Sequence, residues 1–328
     1  KQAGSTSVKV AEQRPRTTLI LATALAVSSI AAFIFWNLPR AWEYILPLRL
    51  TTIGALAVAG IAAGVSTVVF HTLTRNQILT PSLMGFDSIY VLINTVIVFG
   101  LGATALSGMN PLLGFAINCV IMVAFALTIF SPIVLSQTIS LDILLLIGVV
   151  CGIFFKSLSA LLQKMIDPNE YQVLQDSFFA SFTGINRQLL ILTLVVTLII
   201  TAWLWHKRYV LDVMALGQAT SVGLGVRYRR ETLMMMAAIT VIVAASTALV
   251  GPVLFLGLIV SHLAYRSAGT TLHGWTIPIA ALFGVASMVW AQFLLGQIFD
   301  YGTTVSVLIE FVGGILFLTL LMRKAKLK

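Results

Sequence analysis

Apolar residues fall along this chain in long runs, not in the two-residue alternation of a sheet or the single stripe of a surface helix. Ten runs are separable: 17–36, 48–70, 84–106, 112–130, 141–162, 188–205, 232–250, a shorter one ending near Tyr265, 275–299 and 304–322. A helix needs about 20 predominantly apolar residues to cross a bilayer, whereas a barrel strand alternates over about ten. The pattern predicts an all-α integral membrane protein with about ten transmembrane helices. Trp36 closes the first run as an interface anchor. Gly60 and Gly64 give the second run a small-residue face for close helix contact. Gly251 and Pro252 break the seventh run from the short eighth, where Gly257 allows close packing.

The longest polar interruption of the second half is Asp212–Arg230. Asp212 is a plausible helix N-cap and Val213–Ala219 a helix-friendly run. Gly223 and Gly225 break that run before Arg227, Arg229 and Arg230. Two readings stay open: a solvated loop whose arginines set topology, or a short structured element that receives force from a soluble partner. The largest connector on the opposite side is Gln163–Asn186.

Composition narrows the class. Only 9% of the 328 residues are charged and mean hydropathy is +1.02, against about 25% charged in a soluble domain. The net charge of +9 is no nucleic-acid signature, because the positive residues sit at span ends without interleaved aromatics. Of 20 Lys and Arg, 15 fall in the segments that alternate with the N-terminus: Lys1, Lys9, Arg14, Arg16, Arg75, five from Lys207 to Arg230, Arg266 and four in the tail. By the positive-inside rule these are cytosolic, so both termini are expected inside a multi-pass protein of the cytoplasmic (inner) membrane. The organisation expected is a loose cytosolic tail at 1–16, a membrane domain at 17–322 with a cytosolic segment at 206–231, and a basic tail at 323–328. The first run is about 20 residues without a small-residue cleavage site, which favours a span over a signal peptide.

No phosphate-binding Gly-x-x-x-x-Gly-Lys-Ser/Thr loop is present. The four His and two Cys show no metal-ligand spacing, and no paired-carboxylate or Ser-His-Asp arrangement stands out. An enzyme is a poor fit. Ionisable residues within spans are functional candidates because each is costly there without a partner. Lys156 lies about six residues before the outer end of the fifth span and Glu310 about six residues after the outer start of the tenth, so both sit roughly 9 Å below that boundary. They are expected to face one water-filled vestibule, placed to pair across it. Alternatively, Lys156 snorkels outward and Glu310 bonds a neighbouring helix.

Several separated stretches resemble one family, the FecCD-type iron–siderophore permeases related to the vitamin B12 importer permease. Arg49-Leu50 with Thr74-Arg-Asn-Gln-Ile-Leu-Thr-Pro81-Ser-Leu-Met-Gly85 resembles its "RLPR … RNPLADPxLLG" pattern. Ala215-Leu216-Gly217 … Leu224-Gly225-Val226 resembles its "ALG … LGV" coupling segment. Val250-Gly-Pro252 … Phe255-Leu-Gly257-Leu … His262 resembles "VGPIxFVGLxxPH". Leu79–Asp87 looks particularly like the branch that imports anguibactin- and catecholate-type chelates. The second Arg of the first pattern is Thr52 here, the Pro before the family His is Ser261, and the Pro near the last-helix glycines is Ile315.

The resemblance implies a type II ABC importer permease fold, moving a ferric siderophore by alternating access. It implies a second, homologous permease chain, a dimer of ATP-binding subunits and an extracytoplasmic binding protein. ATP and Mg would sit on the partner ATPase and iron within the chelate, with no cofactor or metal held by this chain. It assigns ATPase coupling to Ala215, Leu216, Gly217, Gln218, Gly223, Leu224, Gly225 and Val226. Arg49, with Arg40 and Arg187 as substitutes, is expected to dock the binding protein. The fifth and tenth helices line the path in this family, which agrees with Lys156 and Glu310. Competing readings are a haem or cobalamin-like cargo, or a gradient-driven secondary transporter, although no half-to-half repeat is evident.

Overall fold

The computed structural model describes residues 2–36, 42–136, 141–176, 178, 182, 184–298 and 303–326. Its regular structure among these is helical, with one 3-10 turn at Pro81–Met84. The first half contains α1 (Gln2–Phe35), α2 (Trp42–Thr74), α3 (Phe86–Leu101), α4 (Ala103–Gly108), α5 (Pro111–Ser136), α6 (Leu141–Gln163) and α7 (Pro168–Asp176). The second half contains α8 (Arg187–His206), α9 (Arg208–Met214), α10 (Gln218–Gly223), α11 (Tyr228–Val250), α12 (Leu256–Ala268), α13 (His273–Ile298) and α14 (Val305–Lys326). Seven helices (α1, α2, α5, α6, α8, α11 and α13) are long and apolar enough to cross a membrane, and α3 and α14 contain shorter apolar helices. With α12 these make up the ten apolar segments of the sequence.

Helix α2 is the hub, packed against α13, α11, α12 and α8. Lipid is as apolar as leucine, so helices in a membrane associate through close packing more than through burial of apolar surface. The glycine face of α2 provides that packing. A Cβ added at Gly284 would run into the Gly60 carbonyl, and one at Gly64 would lie 2.6 Å from the Ala280 oxygen. Ala280 and Gly284 thus form on α13 the counterpart of Gly60 and Gly64. Because the contacts run in opposite directions along the two helices, α2 and α13 are antiparallel with their backbones touching. Gly257 brings α12 onto the same hub, where a Cβ would meet the Thr67 side chain and the Ala63 carbonyl.

Helix α12 has 13 residues, about 20 Å of helix against about 30 Å of hydrocarbon. Residues 251–255 complete this segment in non-helical backbone, with Gly251 at φ +93° and Phe255 at φ +58°. Irregular backbone at membrane depth is tolerated where protein or a cavity surrounds it. Pro252 and Leu254 line a cavity described below, while Gly251, Val253 and Phe255 face a small inner void with Ser66, Thr67 and Thr247.

Two local expectations change. The stretch expected as a loose tail is helical from Gln2 onward and joins α1 through Pro15. Its Gln, Ala, Lys and Glu residues favour helix, and Thr17 and Thr18 hydroxyls donate to the Arg14 carbonyl beside the proline. The third apolar run is split: Gly102 at φ +80° separates α3 from α4.

The Gly60–Gly284 contact leaves no volume for a side chain. Gly284→Val is expected to destabilise the protein by about 3 kcal/mol or more, the upper end of ordinary overpacking, because backbone cannot rotate aside as a side chain can. The measurement is thermal loss of the monodisperse peak in detergent. An unchanged transition would show that these helices do not meet.

Candidate functional site

Two places gather the candidate residues, one toward the α7 end of the bundle and one at the opposite end, where α9 and α10 lie. At the first, Gly85 (φ +91°) turns the 3-10 segment into α3 and lies against α6. A Cβ there would come within 3.1 Å of the Gly152 Cα and 3.3 Å of the Gly148 carbonyl. This approach brings Asp87, the second residue of α3, and Lys156, one turn beyond Gly152 on α6, to the lining of one cavity. Gln163 Nε2 donates to Thr95 Oγ1 at 3.1 Å and holds the two helices together further along. The result is a cavity of about 380 Å³ lined by Asp87, Lys156, Glu310, Gln163, Tyr171 and Ser306, among others. Helix α7 covers it with Tyr171 and Gln175. That helix is anchored by Ile166 and Leu174 packing on Val98 and Ala103. The Ala103 N–H donates to a Glu170 carboxylate oxygen at 3.4 Å.

Lys156 and Glu310 therefore face the same space. Among the described residues no ion pair within 4.0 Å joins them in this conformation. Asp87 is the residue that sequence reasoning missed. It is 9% exposed, and neither carboxylate oxygen has a hydrogen-bond partner among the described residues. The signal was available: Asp87 is an ionisable residue inside an apolar run, the criterion that selected Lys156 and Glu310. It lay within a stretch already assigned to a family pattern. The three groups give the cavity two carboxyls and one ammonium, charges that act strongly where water is scarce.

At the other end, α9 and α10 form a helical hairpin. The helix-friendly run Val213–Ala219 is broken at Gly217, whose φ of +103° opens α10. A side chain there would also crowd Arg75, with a Cβ 3.4 Å from Nη1. Ser221 staples the hairpin, its hydroxyl lying 3.0 Å from the Val213 carbonyl and 2.7 Å from that of Gly217. Gly225 at φ +84° turns the chain toward α11. Ala215 closes α9 and Gln218 begins α10. Leu216, Val222 and Leu224 are 60%, 56% and 62% exposed, and with exposed Gly223 and half-buried Val226 they give the hairpin an apolar outer surface. Lys207 Nζ pairs with Glu231 at 3.0 Å and closes the base of the segment.

Asp212 does not cap its own helix. It lies inside α9, and its Oδ1 accepts the His273 backbone N–H at 2.8 Å and bonds the His273 Nδ1 at 2.6 Å. The carboxylate thus caps α13, where the positive end of the helix dipole favours it. A capping residue can be recognised from local sequence, but the helix it serves is decided by tertiary contact. Trp205 Nε1 donates to the Gly274 carbonyl at 3.1 Å beside it.

The arginines expected to dock a binding protein are placed differently from one another. Arg49 turns inward: its Nη1 donates to the carbonyls of Phe33, Ile34 and Trp36 at 2.9, 2.6 and 3.0 Å, satisfying the end of α1. Arg187 is exposed at the start of α8. Arg40 lies outside the described residues. His262, given no catalytic role, bonds the Leu258 carbonyl through Nδ1 at 3.0 Å and sets its ring edge against His71.

The chain as a whole is similar to several known proteins. Petrobactin import system permease protein YclO of Bacillus subtilis (strain 168) is 38% identical over 313 residues, 95% of this chain and 99% of that one. Petrobactin import system permease protein FatC of Bacillus anthracis is 30% identical over 95% of this chain and 90% of its own length. Ferric enterobactin transport system permease protein FepD of Escherichia coli (strain K12) is 29% identical over 86% of this chain and 83% of its own length. The helical arrangement matches a solved metal-chelate type ABC transporter in an inward-facing conformation, with a TM-score of 0.78 at 23% identity over 94% of this chain and 99% of that one. The fold is thus the type II importer permease fold expected from the sequence. The FecCD transport family pattern extends over residues 16–323, from α1 into the end of α14. With cavity, hairpin and hub all inside that span, the chain belongs to the FecCD transport family.

Proposed function

We propose that this chain is the membrane-spanning permease of an ABC importer that carries a ferric siderophore across the cytoplasmic membrane. The observation that supports this most directly is whole-length likeness to two permeases named for petrobactin import. The chain has no phosphate-binding loop, so ATP and Mg belong to separate subunits and the iron travels inside its chelate. The hairpin of α9 and α10 is the docking element for those subunits, on the cytosolic side with both termini. Its exposed Leu216, Val222 and Leu224 suit an apolar cleft. A second, homologous permease completes the pathway, and a binding protein delivers the chelate at the α7 side. Arg187 is the better-placed of the described arginines for contact with acidic groups of that protein. Asp87, Lys156 and Glu310 line the path of the cargo. A second reading, a cobalamin-like cargo, draws on the vitamin B12 import system permease BtuC of Vibrio parahaemolyticus serotype O3:K6 (strain RIMD 2210633), 28% identical over 76% of this chain.

Reconstitution with both permeases, the ATPase and the binding protein tests the assignment. Uptake of radiolabelled ferric petrobactin should require ATP and stop when the ATPase is inactivated. Uptake that survives this inactivation and collapses with the proton gradient would overturn it. Within the hairpin, Gly225→Val should leave the protein inserted but uncouple hydrolysis from uptake, because a β-branched residue at φ +84° is strained and reshapes the turn. Normal uptake per ATP in that variant would count against docking through this turn. In the cavity, Asp87→Asn preserves shape and removes charge. It should cut uptake by about tenfold, equivalent to about 1.4 kcal/mol, with expression and ATP hydrolysis retained. Wild-type uptake by this variant would remove Asp87 from the path.

A further inference from the structure

We infer that Asp212, His273 and Thr72 form the link through which movement of the α9–α10 hairpin reaches the membrane helices. The inference rests on the reading that the hairpin docks on an ATPase. Three elements meet in one hydrogen-bonded chain. Asp212 Oδ1 on α9 bonds both the backbone N–H and the Nδ1 of His273 at the start of α13. His273 Nε2 lies 2.6 Å from Thr72 Oγ1, near the end of α2. A carboxylate only accepts, so Nδ1 carries a proton; in the neutral ring Nε2 then accepts from the Thr72 hydroxyl. His273 is 2% exposed, with half-buried Asp212 and Thr72 on either side of it, and a hydrogen-bonded chain centred on a buried ring is costly to break.

The position of the chain gives the link its purpose. Thr72 and His273 are the inner ends of the antiparallel pair whose backbones meet at Gly60 and Gly284. Thr72 lies twelve residues beyond Gly60, about 18 Å along the helix, and His273 eleven residues before Gly284 on the facing helix. A displacement of α9 therefore acts on both members of a closely packed pair at the same height. His71, the neighbour of Thr72, extends the contact to α12 through Tyr265, whose hydroxyl lies 3.3 Å from Nδ1. Space for rearrangement adjoins the chain: a cavity of about 340 Å³ is lined by His71, Thr72, Arg75, Ala215, Tyr265 and His273, among others. These three are positioning residues; none of them lines the cargo cavity.

The test uses the complete importer in proteoliposomes, with ATP hydrolysis and ferric petrobactin uptake measured on the same preparation. Thr72→Val removes the hydroxyl at the end of the chain remote from the docking surface and keeps its volume. ATPase should co-purify normally and hydrolyse ATP at the wild-type rate, while uptake per ATP falls by about tenfold, within the range of ordinary coupling between sites. Thr72→Ser should restore it, and combining Thr72→Val with Asp212→Asn should do no more harm than the worse single change. Wild-type uptake per ATP in Thr72→Val, failure of the serine to rescue, or additive losses would each overturn the link. If Thr72→Val fails to insert, Asp212→Asn alone is judged by the same ratio. Leu216→Asp tests the underlying docking reading separately. Loss of ATPase co-purification supports that reading whatever Thr72→Val does, and retention overturns it together with the source of force for the link.

Discussion

Backbone contact between Gly60 on α2 and Gly284 on α13 is the constraint on which the rest of the structure depends. In a chain with 9% charged residues immersed in lipid, apolar burial does little to choose one helix partner over another. Shape must choose. Two small-residue faces, Gly60 with Gly64 and Ala280 with Gly284, fit each other in one antiparallel register. That register places Thr72 opposite His273 at one end. At the other it brings Thr52 to the same recess as Gln292, beside Arg49. The hydrogen bonds at the Thr72 end follow from a packing decision made midway along the two helices.

Around this hub the helices fall into two sets of attachment. Helices α12 and α14 pack on α13 and on each other, while α6 packs chiefly on α3 and the 3-10 turn before it. The charged cavity lies between them. Asp87 and Lys156 belong to the α3–α6 wall, held by Gly85 against Gly152; Glu310 belongs to α14. The irregular residues 251–255 lie at this border, where non-helical backbone can face space instead of lipid. Absence of an ion pair between Lys156 and Glu310 is in keeping with groups on two walls whose separation is not locked.

The sequence made legible what local composition controls. Ten apolar runs, the break at Gly251 and Pro252, and the glycine face of α2 are properties of short stretches, and the structure contains each. What it hid were choices of partner. Gly60 and Gly64 announced a contact surface, but Ala280 and Gly284 became its counterpart only once α13 was in place. Asp212 has the chemistry of a cap, yet the amide it satisfies is 61 residues away in sequence. Arg49 is a candidate for docking a binding protein, and only the tertiary structure shows that the end of α1 offers three carbonyls within its reach. Gly217 sits in a helix-friendly run, and its positive φ is required by the fold of α10 onto α9. Asp87 was different: its intramembrane position was visible and needed no tertiary knowledge.

These features bear on how force could pass through the molecule. A hairpin with an exposed apolar surface can receive a push, but two short helices stapled by one serine hydroxyl transmit little unless tied to something stiff. The Lys207–Glu231 pair ties the base of the segment to α11, and Asp212 ties its middle to α13. Of the two ties, the second reaches the stiffer body, since α13 cannot shift without α2 while their backbones touch. Helices α12 and α14 lean on α13, so in the proposed coupling a displacement there would carry the Glu310 wall relative to the wall bearing Lys156 and Asp87. Opening and closing of the cavity would then be a change in distance between its two walls, driven from the far end by the Asp212–His273–Thr72 chain and not by bending of the helices themselves.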